Sequence, residues 1–164
     1  MFLNYHSLCL HSASLLVDEF GTIFFGGRMS RLRERLYKDY KLEELGYDFL
    51  GYTFDSKKEL STHHILPRHS GGQTKKNNLC VLNRFTSHNY IHLIEDTDYK
   101  VFLELSKYLL EQVKKGEISR EQLLKIEDAL QFFEFKYRDE EDRHGERLIK
   151  PEYKSKRIIL KEDL

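Results

Sequence analysis

The sequence predicts an α+β protein: a strand–loop–strand–helix core with an N-terminal strand/helix region and a C-terminal helical hairpin. Three observations carry that expectation. Residues 61–92, STHHILPRHSGGQTKKNNLCVLNRFTSHNYIH, place two short apolar or β-branched runs on either side of a breaker-rich stretch and end in helical spacing. Leu32, Leu36 and Tyr40 recur every four residues ahead of that stretch. Behind it, two long segments of helical periodicity are separated by Gly116.

Taken in order, residues 1–27 mix apolar runs with EFGT and GG, which suit a short hairpin or irregular strands. Residues 31–45 form an amphipathic helix, with Ser30 as its N-cap and Gly46 as its stop. YDFLGYTF (47–54) is expected to be a strand and DSKK a turn, which completes an N-terminal region over 1–56. The core spans 57–96. ELSTHH is strand-compatible, and Pro67, Gly71, Gly72 and Asn77 demand a loop of about a dozen residues. LCVL is the second strand, and NRFTSHNYIHLIED is a helix with Phe85, Ile91 and Ile94 on its inner face. Residues 97–137 form the helical hairpin, its second helix opened by a capping-box pattern of Ser119 and Gln122. Residues 138–164 are a charged linker and tail; YKSKRIILKEDL is a tail, a late strand or a partner-binding segment.

A chain of 164 residues is long enough to bury a real core. Cys9 and Cys80 are the only cysteines and do not form a C-x-x-C pair. That argues against a disulfide framework and a cysteine-rich zinc site, and makes a reducing, cytoplasmic setting the expectation. No run reaches the length of a membrane span, and the first residues lack the basic start of a secretion signal. Net charge is zero, which excludes a broadly basic coat, but the distribution is uneven. Residues 57–84 carry six basic side chains against Glu59 alone, while residues 85–164 carry 15 basic and 18 acidic ones. The positive charge around the histidines, from Arg68, Lys75, Lys76 and Arg84, points to contact with a polyanion.

Five of the eight histidines fall within residues 61–92. On a helix, His88 and His92 lie one turn apart on the same face and can hold one ion. A third ligand from a strand packed on that helix comes from His63 or His64. Three neutral imidazoles leave coordination positions open, as a catalytic rather than a structural metal requires. The remaining histidine of the adjacent pair is then available to take a proton from water near neutral pH. Consecutive strand residues face opposite ways, so the strand must end or bend here if both serve one site. Imidazole ligation admits Mg, Mn, Ni or Zn. His69 is expected on the exposed loop, and Cys80 as a small buried side chain of the second strand.

HH-I-x-P, then GG, then NL, then H-x-x-x-H resembles the HNH (ββα-metal) endonuclease motif, with spacing closest to the colicin-type DNases. The likeness covers residues 59–95. It implies a ββα-metal core that cleaves phosphodiester bonds in DNA with one divalent ion held by His63, His88 and His92. His64 would be the general base, although the reverse assignment of His63 and His64 stays open. Asn78, or its neighbour Asn77, would be the central Asn that pins the loop. The flanking cysteine pairs of many bacterial and phage members are missing, so no structural zinc is expected. Two other readings remain. The unit could be a subunit of a larger phage-defence or mobile-element complex, assembling with itself or with a protein partner through the helices after Thr97. It could also be a non-catalytic, metal-stabilised module that binds nucleic acid. DNA is favoured over RNA, and no membrane partner is expected.

Overall fold

The computed structural model describes residues 28–158; the short hairpin or irregular strands expected within residues 1–27 lie outside them. The described chain is mixed α+β. In order it runs α1 (Arg28–Asp39), α2 (Leu42–Leu45), β1 (Leu60–His64), β2 (Leu79–Asn83), α3 (Ser87–Thr97), α4 (Tyr99–Lys115), α5 (Arg120–Lys136) and α6 (Pro151–Ser155). The two strands pair antiparallel, with Leu60 opposite Asn83, His63 opposite Cys80 and His64 opposite Leu79.

The expected 31–45 helix divides in two. Lys41 takes a left-handed conformation, φ 50°, which ends α1 and starts α2, and Gly46 caps α2 at φ 72° as expected. Ser30 lies inside α1 rather than at its N-cap. Leu36, Tyr37 and Tyr40 are buried.

YDFLGYTF is not a strand. A single bridge joins Tyr47 to Thr53, and between them the chain folds around a side chain. The Asp48 carboxylate accepts from the N–H groups of Leu50 (2.9 Å) and Tyr52 (3.0 Å) and, across the molecule, from the N–H of Asn83 (2.7 Å) and the hydroxyl of Ser87. A buried carboxylate that gathers this many donors organises a turn more strongly than the apolar alternation organises a ladder.

The helical hairpin forms as expected. Gly116 ends α4 at φ 77°, and the Ser119 side chain accepts from the N–H of Gln122 at the start of α5. Gln122 does not return the bond; its amide donates to Glu111 at 2.8 Å.

One continuous apolar cluster joins α1, β1, β2, α3, α4 and α5, with Tyr52, Leu60, Ile65, Leu79, Tyr90, Phe102, Leu109, Ile126 and Phe133 fully or almost fully buried. The charged tail adds to it. Residues 156–158 lie against 51–53 through a Tyr52–Arg157 bridge. The buried Arg157 guanidinium meets Glu127 at 3.1 Å and Glu134 at 2.8 Å on α5. No described helix is long and apolar enough to cross a membrane.

Candidate metal centre

Alternation along β1 puts Ser61 and His63 on the face toward α3. The contacts agree: Ser61 Oγ lies 2.6 Å from His88 Nδ1, and the His63 ring meets those of His88 and His92 with centroids 5.1 and 5.0 Å apart. His88 and His92, one turn apart on α3, stack at 5.1 Å. One ring nitrogen from each of the three lies within 4.8 Å of the others, close enough to hold one metal ion.

Each ring presents a nitrogen to that centre. His63 is 3 % exposed and its Nε2 is buried with no hydrogen-bond partner. His92 Nδ1 lies 3.1 Å from Glu95 Oε2, so donation to the carboxylate leaves Nε2 with a lone pair. His88 Nδ1 can donate to Ser61 Oγ in the same way, with the Ser61 proton directed to the Leu82 carbonyl at 3.4 Å. A hydroxyl or carboxylate behind an imidazole is the usual means of fixing the tautomer of a metal ligand. A buried imidazole nitrogen without a partner is costly unless something binds it. The donor set therefore fits a cation.

Burial favours the neutral form of His63 and His88. Burial, followed by the neighbouring His88, His92 and His64, holds His63 well below the ordinary histidine range. Burial, followed by His92 and His64, takes His88 down to about 4. Neutral imidazole is the form that ligates. Cys80 is buried, and burial raises its thiol well above the ordinary range; the donor atoms that converge are those of the three histidines.

β1 ends at His64, and Ile65–Leu66 bend away. The break follows His64, which still pairs with Leu79 as the last residue of the strand. His64 is half-buried, with Nε2 2.8 Å from Thr74 Oγ1. Burial, then the Arg68 guanidinium, lowers its pKa. The loop behind it is tied by Asn78, which is buried. The Asn78 side chain accepts from Leu66 N–H at 2.8 Å and donates to the carbonyls of Leu66 (3.0 Å) and Gln73 (3.1 Å). Asn77 is exposed, so the side chain that pins the loop belongs to Asn78. Gly72 permits this closure, since a Cβ there would stand 1.8 Å from the Leu66 carbonyl oxygen.

Arg68, Lys75, Lys76 and Arg84 are all exposed. Lys76 is committed to Asp39 of α1 at 2.6 Å, and Arg84 lies 4.7 Å over the Phe85 ring. Phe85 is not on the inner face of a helix, because α3 starts two residues later and the ring is 53 % exposed. Tyr90 takes the inward position beside Ile91 and Ile94. His69 is 72 % exposed, with its Nε2 3.7 Å from Glu95.

Sequence reasoning missed Ser61, Thr74, Glu95 and Asp48. Glu95 carried a signal, an acid three residues after His92 on the same helix. Ser61 carried one too, two residues before His63 on the same strand face. Thr74 and Asp48 act across loops, and nothing local marks them. Asp48 matters to the site through Ser87 and Asn83, because its bonds to them fix the start of α3 and hence His88. Burial pushes its carboxyl up to about 6, against the lowering effect of those hydrogen bonds.

No family of known proteins matches the chain, and neither does any curated protein or solved structure.

Proposed function

We propose that the chain is a metal-dependent endonuclease of the HNH (ββα-metal) type that hydrolyses phosphodiester bonds in DNA. The observation that carries this reading is the convergence of His63, His88 and His92 with His64 beside them, on a hairpin whose loop is tied by Asn78. In this reading β1, β2 and α3 are the ββα unit. His63, His88 and His92 hold one divalent ion, which when bound polarises the phosphodiester and stabilises charge on the departing oxygen.

His64 is the general base. When its Nε2–H donates to Thr74 Oγ1, Nδ1 carries the lone pair that takes a proton from the attacking water. The lowered pKa keeps the ring neutral at pH 7 and ready to accept. Asn78 holds the loop, and with it Thr74 and His64, in register. Arg68, Lys75 and Arg84 contact the phosphodiester backbone.

The test is the purified chain with supercoiled plasmid, single-stranded DNA and RNA, across Mg, Mn, Ni and Zn and with chelator. Plasmid nicking or linearisation that needs a divalent ion supports the reading. Faster cleavage of RNA would move the substrate class. A metal-stabilised module without catalysis would bind DNA and cut nothing under any ion.

A second reading keeps this chemistry and adds a protein partner. It draws on an apolar groove of about 370 Å³ beside Leu66, Leu103 and Leu110, and on the exposed Phe132 and Phe135 of α5. A stable hetero-complex or larger species in sedimentation supports it, and a monomer in every preparation removes it.

A further inference from the structure

We propose that the outer face of α1, presenting Arg31, Arg35 and Lys38, is a second phosphate-contact surface that holds the same nucleic acid whose backbone reaches the histidine site. This rests on the nuclease reading above. At 100° per residue the three side chains fall within an arc of about 60°, opposite the buried Leu36, Tyr37 and Tyr40. Arg31, Arg35 and Lys38 are exposed. Two acids of α1 that neighbour Arg35 and Lys38 are engaged with other residues: Glu34 pairs with Lys57 and Arg33, and Asp39 with Lys76.

Those pairs also fix where the stripe lies. Lys57 precedes β1, and Lys76 stands where the site loop enters β2. Their partners are in the middle and at the end of α1, and Arg33 donates to the Leu60 carbonyl at 3.3 Å. The helix therefore runs alongside the hairpin toward the loop that carries Lys75 and holds His64. Asp39, next to Lys38 at the end of α1, is thereby held against Lys76, the neighbour of Lys75, so the helix ends beside the basic loop.

Charge over the whole chain favours the same surface. Residues 28–84 carry 12 basic and 7 acidic side chains, an excess of five positive charges. The rest of the chain carries 15 basic and 20 acidic ones, an excess of five negative charges. A polyanion is attracted to α1 and the hairpin and repelled by the remainder, so the direction of approach is set before contact. The partner that needs several separated phosphate contacts in line is a nucleic-acid backbone.

The test measures binding of a labelled DNA duplex of about 20 base pairs by fluorescence anisotropy over a salt series. It uses full chains in a His64→Ala background, so that DNA survives the measurement. Arg35→Gln/Lys38→Gln is compared with its parent and with Lys100→Gln/Lys114→Gln, exposed lysines on α4. Loss of two phosphate contacts lowers the slope of log K against log salt by about 2, whereas the α4 pair leaves it unchanged. An unchanged slope and affinity in the α1 variant, with a parent that binds DNA, overturns this inference and leaves the nuclease reading standing. A parent that does not bind DNA, together with a wild-type chain that cuts none, removes both. Binding to vesicles rich in anionic lipid that the α1 variant loses, with its DNA binding intact, would assign the stripe to a membrane surface and overturn the inference.

Discussion

The His63 ring stands edge-on to the His88 ring, 87° apart in plane, with its buried Nε2 unpaired. An ion shared with His92 relieves that unpaired nitrogen, so binding must stabilise the fold. At a metal concentration one hundred times Kd the gain is about 2.7 kcal/mol, or roughly 5–10 °C in Tm. Thermal denaturation with Zn, Ni, Mn or Mg should show this rise, and chelator should abolish it. His63→Ala, His88→Ala and His92→Ala should each lose most of the metal-dependent increment.

Ser61 and Glu95 stand behind His88 and His92. Ser61→Ala and Glu95→Gln should each weaken metal affinity by roughly 10- to 100-fold while the fold persists. Calorimetric titration with the metal checks this. An affinity equal to that of the wild type would mean that these partners do not set the ligand tautomers.

His64 and Thr74 should separate from the ligands in behaviour. His64→Ala is expected to lower turnover by roughly 10²- to 10⁴-fold with metal affinity intact. Thr74→Val should lower kcat more than KM and shift the acidic limb of the pH–rate profile, with recovery in Thr74→Ser. A fall in KM-dependent binding alone would assign Thr74 to substrate contact instead.

Asp48 gives a pH signature of its own. Its carboxyl titrates near 6 in the folded chain, above the ordinary value of 3.8. The unfolded chain therefore releases this proton at lower pH than the folded one. The stabilisation is fully present below about 3.8 and is lost as pH rises through about 6, a change on the order of 3 kcal/mol. Asp48→Asn removes that slope but sets an amide N–H₂ against the Asn83 and Ser87 donors, so it is less stable overall. Its deficit relative to wild type should shrink between pH 5 and pH 7.5, as read from urea midpoints.

Gly72→Ala should open the loop, since the added methyl collides with the Leu66 carbonyl. Loss of cleavage with metal binding retained is expected, because the ligands lie on β1 and α3 and not on the loop.

The local part of this architecture was legible because it is carried by periodicity and breakers. The paired strands, the loop closed at Gly71 and Gly72, α3 with histidines one turn apart, and the α4–α5 hairpin all follow from residues close in sequence. The 47–54 segment defeated the same reasoning. Its apolar residues suggested a strand, but Asp48 collects N–H groups from its own turn and from Asn83, 35 residues away, and no window of sequence contains that pairing. The start of α3 was placed too early for a related reason. The Asn83 carboxamide oxygen accepts from the Phe85 N–H at 3.0 Å, and this turn turns Phe85 outward. For YKSKRIILKEDL the local sequence leaves a tail, a late strand and a partner-binding segment open, because what orders it is distant: Arg157 bridges to Tyr52 and is buried where two acids of α5 receive it.

X-ray absorption on the zinc-loaded chain tests the shared-ion claim most directly. The expected result is one ion per chain with three imidazole nitrogens at about 2.0–2.1 Å, and one nitrogen fewer in His92→Ala. An ion bound without imidazole, or a wild-type spectrum that His92→Ala leaves unchanged, would contradict it.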